Sequence, residues 1–278
     1  MKKILLAAIA ATAFYFTNAQ LNTPQPSPTT SVKQNFGLSN IELSYSRPSM
    51  KGRKIFGDLV PYGKVWRTGA NNATTITFGD EVTIGGKKIA AGKYGLVTIP
   101  ENKSWTIIIS KQTDITGPAG YKEENDLVRV NAATKKSDSK VETFTMAFSN
   151  ITSNKVDLDI SWDNTLVTLP IETEIDSKIM GQINKVMNDT TTNKPYFSAA
   201  MYYLDNNKDL NTALGWLQKA ETANPKAFWV IHQKANALAK LGKKQEAIAA
   251  ANQSITLAKE AKNDDYVTLN EKLLATLK

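Results

Sequence analysis

The chain of 278 residues contains no cysteine and a single histidine, His232. The first absence excludes disulfide staples, thiolate metal sites, a thiol nucleophile and a lipidated N-terminal cysteine. The second leaves Ser-His or Cys-His catalysis and most zinc or copper chemistry to one side chain, and no second ligand of the right kind stands near it. Glycine-rich phosphate loops of the two common patterns are also missing, which argues against nucleotide-driven chemistry. Beyond the first twenty residues no apolar run approaches the ~20 residues of a membrane span.

What is present is an ordinary globular composition, 41% apolar and 22% charged, enough for one or two cores. The formal net charge is +8. Lys2 and Lys3 sit in a segment expected to be removed, and the remaining charge is spread over both halves of the chain. No nucleic-acid partner is expected on that count. Residues 1–19 join a short positive start, an apolar stretch from Ile4 to Phe16 and the small-residue exit Thr17-Asn18-Ala19. This pattern predicts a secretory signal peptide cleaved after Ala19, hence a periplasmic or secreted protein with no membrane span. Residues 20–30 carry three prolines and read as an extended linker.

Residues 31–172 show short alternating segments separated by Gly, Pro and Asn, at 41–45, 75–78, 82–84, 94–99, 105–109, 144–148, 156–160 and 166–169. This spacing predicts a mainly β, sandwich-like N-terminal module. Gly85-Gly86 supplies a tight hairpin turn. The blocks Tyr45-Ser46-Arg47-Pro48, Lys51-Gly52-Arg53, Leu59-Val60-Pro61-Tyr62-Gly63 and Trp66-Arg67-Thr68-Gly69-Ala70-Asn71 resemble the signatures of domain of unknown function family 2911, exported proteins of Bacteroidota. The resemblance covers about residues 25–172 and implies export and an all-β fold, with no activity attached.

Between Arg47 and Arg67 six Lys or Arg face one acid, Asp58, with Tyr45, Phe56, Tyr62 and Trp66 interleaved. A long, glycine-punctuated, basic and aromatic connection is expected to hold a small anionic or glycan ligand, with Arg47, Lys51, Arg53, Asp58, Tyr62, Trp66, Arg67 and Asn71 as the candidate residues. The same content also suits a structural loop that caps one end of the sandwich. In that version Phe56, Leu59, Val65 and Trp66 plug the core, and Asp58 pairs with Arg53 or Arg67. Asp157, Asp159 and Asp163 suggest a calcium site by their oxygens, but Asp157 and Asp159 alternate with Val156, Leu158 and Ile160 and so read as the solvent face of a strand. Glu123 to Asp126 reads as a polar loop, and Lys135 to Lys140 as a hairpin tip.

After Pro170 the hydrophobic period changes to helical, and residues 173–278 read as an all-α module. Ala213 and Ala247 stand 34 residues apart in similar surroundings, and Leu241 to Ile248 resembles the turn of a tetratricopeptide repeat. Helices are predicted at 175–188, 195–206, 209–222, 227–241, 243–260 and 264–277. Lys234 and Ser254 depart from the repeat pattern. The resemblance implies a groove for a protein or peptide partner that exposes Ser198, Tyr202, Trp229, His232 and Asn236. The alternative for Trp229 and His232 is ordinary packing. The function expected from the whole is a binding or scaffold protein without cofactor or metal. The rival is an enzyme acting on an envelope polymer through Asp58 with Arg53 or Arg67.

Overall fold

The computed structural model describes residues 23–190 and 193–277, so the N-terminal segment read as a signal peptide lies outside the described residues. Contacts divide the chain between Ile175 and Asp176 into two compact units.

Among its described residues the first unit contains ten strands: β1 (Thr29–Phe36), β2 (Ser39–Ser46), β3 (Thr75–Phe78), β4 (Val82–Ile84), β5 (Lys87–Ile89), β6 (Gly92–Pro100), β7 (Ser104–Ser110), β8 (Asp126–Ala133), β9 (Lys135–Ser149) and β10 (Lys155–Glu172). They form a six-stranded sheet, β1-β2-β3-β6-β7-β8, and a four-stranded sheet, β5-β4-β10-β9; every strand pairing is antiparallel. Alternation decides which side chains are buried. Ile41, Leu43 and Tyr45 of β2 point inward with Ile107 and Ile109 of β7, and meet Val156, Leu158 and Ile160 of β10 in one core.

Three strands run through places where the sequence suggests something else. β1 begins at Thr29, paired with Ser46, so the strand takes in the last two residues of the segment read as linker. The Lys135–Lys140 run is the start of β9 and not a hairpin tip: Lys135 and Lys136 pair with Leu166 and Thr165 of β10. β10 spans both of the segments expected at 156–160 and 166–169. Its register slips between Ser161 and Thr165, where Asp163 has φ 54°. The bulge reverses the strand's parity. Val156, Leu158, Ile160 and Trp162 face the core before it, and Val167, Leu169 and Ile171 after it.

On the other face of the large sheet, Val97, Ile108 and Ile115 form a small second core with Val65, Ile99 and Tyr121. The segment between β7 and β8 covers it and passes so close to β6 that a Cβ on Gly95 would meet the Gln112 carbonyl oxygen at 2.0 Å. Glu123–Asn125, read as a polar loop, forms a single 3-10 turn in this segment.

Among its described residues the second unit has six helices: α1 (Asp176–Asn188), α2 (Tyr196–Asp205), α3 (Leu210–Ala223), α4 (Phe228–Lys240), α5 (Lys244–Glu260) and α6 (Asp264–Thr276). Asp209 accepts a bond from the Thr212 amide and Asn263 one from the Tyr266 amide, which cap α3 and α6. The core is built from small residues: Ala200, Ala213, Ala235, Ala247 and Ala251 are fully buried beside Leu217 and Ile231. Among the described residues no helix is long and apolar enough to cross a membrane.

Candidate functional site

The connection from β2 to β3 is held by its backbone to both sheets. The Phe144 amide donates to Pro48 O and the Met50 amide to Glu142 O, while Trp66 and Thr98 exchange two bonds. Its arginines are spent on backbone as well. Arg47 donates through Nε to Phe144 O and through a guanidinium nitrogen to the Thr145 hydroxyl. Arg53 donates to Met50 O and Ser49 O, and Arg67 to Thr116 O. The Lys51 amide donates to Glu142 Oε1, and Asn71 to Ser27 O. Guanidinium groups expected to face a ligand therefore tie the connection to its neighbours, because carbonyls in irregular backbone need donors.

Phe56 and Trp66 enter the core, as the capping arrangement requires. Leu59 does not; it remains exposed. Val65 packs in the second core on the far side of the large sheet. Asp58 is exposed and takes part in none of the ion pairs among the described residues, so the expected pairing with Arg53 or Arg67 is absent.

Phe56 and Trp66 join Trp105, Phe144 and Trp162 in one aromatic cluster. Phe56 meets Trp105 edge-on at 5.0 Å, and Trp66 stacks on Trp162 at 5.9 Å and 17°. Phe56 and Trp105 also form the floor of a cleft of about 190 Å³ at one end of the sandwich. One wall is the β6–β7 turn, with Glu101 and Asn102; the other is Lys135, Lys136, Asn164 and Thr165, from β9 and the bulge of β10. Thr134 joins the walls by donating to Asn102 O. Tyr62 stands at the mouth, 43% exposed. Its ring lies against the backbone of Gly57, where a Cβ would come within 2.8 Å of Cε2, and Gly57 has φ 81°. A side chain at position 57 would both strain the turn and displace the ring.

Of the residues expected to bind a ligand, only Tyr62 lines this cleft. Lys135 and Lys136, which sequence reading discounted, line it too. The only signal that could have found them is the register of β9 on β10, since about seventy positions separate them from Tyr62.

The helical residues expected to share one groove fall into separate places. Ser198 and Tyr202 border an apolar hollow of about 270 Å³ between α1 and α2, lined by Ile179, Ile183, Val186 and Ala199. The Tyr202 hydroxyl donates to Asp176, which also pairs with Lys208; these bonds hold the Asp176 carboxyl below the usual carboxylate range. Trp229 stays exposed, with Phe228 edge-on to it. His232 is buried, and α6 covers it. Its Nδ1 meets Asn270 Oδ1 at 2.8 Å, and Asn270 in turn donates to Ser254 Oγ and Tyr266 O. Both donors of Asn270 are used, so its oxygen accepts and Nδ1 carries the proton. Asn236, half-buried, donates to Nε2. Ser254, read as a departure from the repeat, joins that hydrogen-bond network and donates onward to Phe228 O.

A polar cluster flanks the second core. The Tyr121 hydroxyl donates to Asp126, and Arg129 donates to Tyr121 and pairs with Asp126 and Glu123. Burial, and then the Asp126 hydrogen bond, push the Tyr121 phenol up to about 12. Burial likewise raises Asp126, whose side chain is 7% exposed, against the pull of Tyr121 and Arg129. Among the described residues no group of three or more His, Cys, Asp or Glu has the arrangement of a metal site.

No curated protein and no solved structure matches the chain. Residues 27–171, more than half of its length, match the family described as Protein of unknown function (DUF2911), and the protein belongs to that family.

Proposed function

We propose that this chain is an exported binding protein, periplasmic or secreted after removal of residues 1–19, whose β unit holds a small glycan in the cleft floored by Phe56 and Trp105. The observation that carries the reading is Tyr62: an aromatic ring left open to solvent at the mouth of a cleft and seated on a glycine that only a bare backbone can replace. Exposed ring faces bind the C–H faces of sugars, and amides and carboxylates such as Asn102, Asn164 and Glu101 accept or donate to their hydroxyls. The site needs no cofactor. Catalysis through Asp58 finds no support, because that carboxylate has neither of its expected partners.

The test is calorimetric titration of the full chain with a panel of neutral and acidic oligosaccharides. Binding is expected, with a loss of at least about tenfold in Tyr62→Ala at an unchanged unfolding midpoint, the scale of one aromatic contact. No binding, or equal binding by the variant, overturns the reading.

The tetratricopeptide-like unit supplies a second surface for a protein partner in the same proposal. Support comes from the apolar hollow between α1 and α2, which Ser198 and Tyr202 border. Ile183→Glu, on the α1 side of that hollow, is expected to abolish capture of the partner while leaving oligosaccharide binding intact.

A further inference from the structure

The cleft's two walls differ in charge, and the difference follows from strand register. Beyond the β10 bulge the inward positions are Val167, Leu169 and Ile171, and Thr165 belongs to the same alternation. Lys136 is the register partner of Thr165, and side chains directly opposite in an antiparallel pair share a face. Lys136 therefore belongs to the inward face at the open end of the sandwich, and it lines the cleft beside Asn164 and Thr165. It forms no ion pair among the described residues, and neither does Lys135. The opposite wall carries Glu101, which suits a ligand's hydroxyl groups and repels its carboxylate. A cleft of about 190 Å³ falls below the ~300–1,000 Å³ of drug-sized sites and takes a single ring.

We infer that the ligand is an acidic sugar, a uronic-acid residue at the end or in the chain of an oligosaccharide. Its ring packs on Tyr62, its carboxylate lies on Lys136, and its hydroxyls face Glu101 and Asn102. The inference rests on the glycan reading above and adds the charge of the ligand and the residue that selects it.

The experiment compares a uronic-acid oligosaccharide with the same oligosaccharide after reduction of its carboxyl groups to hydroxymethyl, each titrated into the full chain. The acidic form is expected to bind about tenfold more tightly at low salt, the scale of one charge-assisted contact. Lys136→Gln is expected to bring the two forms level, and Tyr62→Ala to weaken both. Independently of any variant, raising the salt to about 0.5 M is expected to erase most of the preference, because the lysine sits at an open cleft.

Equal binding of the two forms by the wild-type chain overturns the inference and leaves the glycan reading standing. Binding of neither form overturns both. An inward lysine on an edge strand also discourages strand addition between molecules. If that is its whole role, Lys136→Gln alters self-association and leaves the ratio of affinities untouched, which likewise overturns the inference.

Discussion

The two units of this chain solve the burial problem with opposite materials. The β unit fills its core with large side chains, Trp105, Trp162, Phe78 and Phe144 among them, brought together from distant parts of the sequence. The helical unit fills its core with alanines that let neighbouring helices approach closely, and ties its last helix with one buried polar network. Large rings keep their place by shape and tolerate little loss of volume. Small residues keep theirs by leaving no room, and tolerate little gain.

That contrast can be broken from either side, and the largest effect is expected in the β unit. Trp162→Ala removes a ring that touches Phe56, Trp66 and Phe144 and one of the two bonds that the Glu142 carbonyl accepts. A loss of about 3–5 kcal/mol is expected in denaturant unfolding, confined to the transition of the β unit. If the helical signal falls with it, the two units do not unfold separately. In the helical unit the informative change is an enlargement: Ala251→Leu should cost about 1–3 kcal/mol by overpacking, and an unchanged midpoint would show that the core has room. Next is Asn270→Ala, which leaves His232 Nδ1 without its partner and removes one bond each from Ser254 and the Tyr266 carbonyl. About 1–3 kcal/mol is expected, together with faster amide exchange in α6 than in α4. Uniform exchange in both helices would deny that the network pins α6.

The smallest effect sharpens the comparison through acid. Asp126 is raised above the ordinary aspartate range, so the stability it contributes is full below that range and is lost as pH rises through its folded value. Asp176 and Asp209 are lowered by their hydrogen bonds, with Lys208 and Thr212 as first causes. What they contribute is present above the ordinary value and is lost as pH falls through their folded values. Acidification through that window should favour the β unit and penalise the helical one. Thermal melts of the full chain across that pH range, read separately for each unit, test this. Asp209→Asn keeps an N-cap that does not titrate and should reduce the acid sensitivity of the helical unit alone. If its slope equals that of the wild type, Asp209 does not contribute.

The same contrast explains what sequence reading reached. Helix positions came within a residue or two, because each is set by neighbours three or four positions away and by punctuation such as Gly242 and Pro225. Central strands were legible by alternation. β1 and β8 were not, since both lie at the edges of the large sheet and carry too few buried positions for a clear pattern. The β10 bulge hid a continuous strand by reversing its parity midway. The candidate site was half legible. Tyr62 and the aromatic content of its connection stood out, whereas the arginines that looked free are bonded to carbonyls no local pattern announces. Lys135 and Lys136 looked inert because a lysine's value here depends on which residue of another strand it faces.

One hydrogen-bonded pairing sets the order in which the molecule can be assembled. Tyr45 both donates to the Met146 carbonyl and accepts from the Met146 amide, closing a loop of 101 residues. Contacts that close long loops are slow to form, while helices that pack on their sequence neighbours form fast. The first unit to leave a ribosome is thus the last able to finish, and until β9 arrives its N-terminal half remains an open sheet.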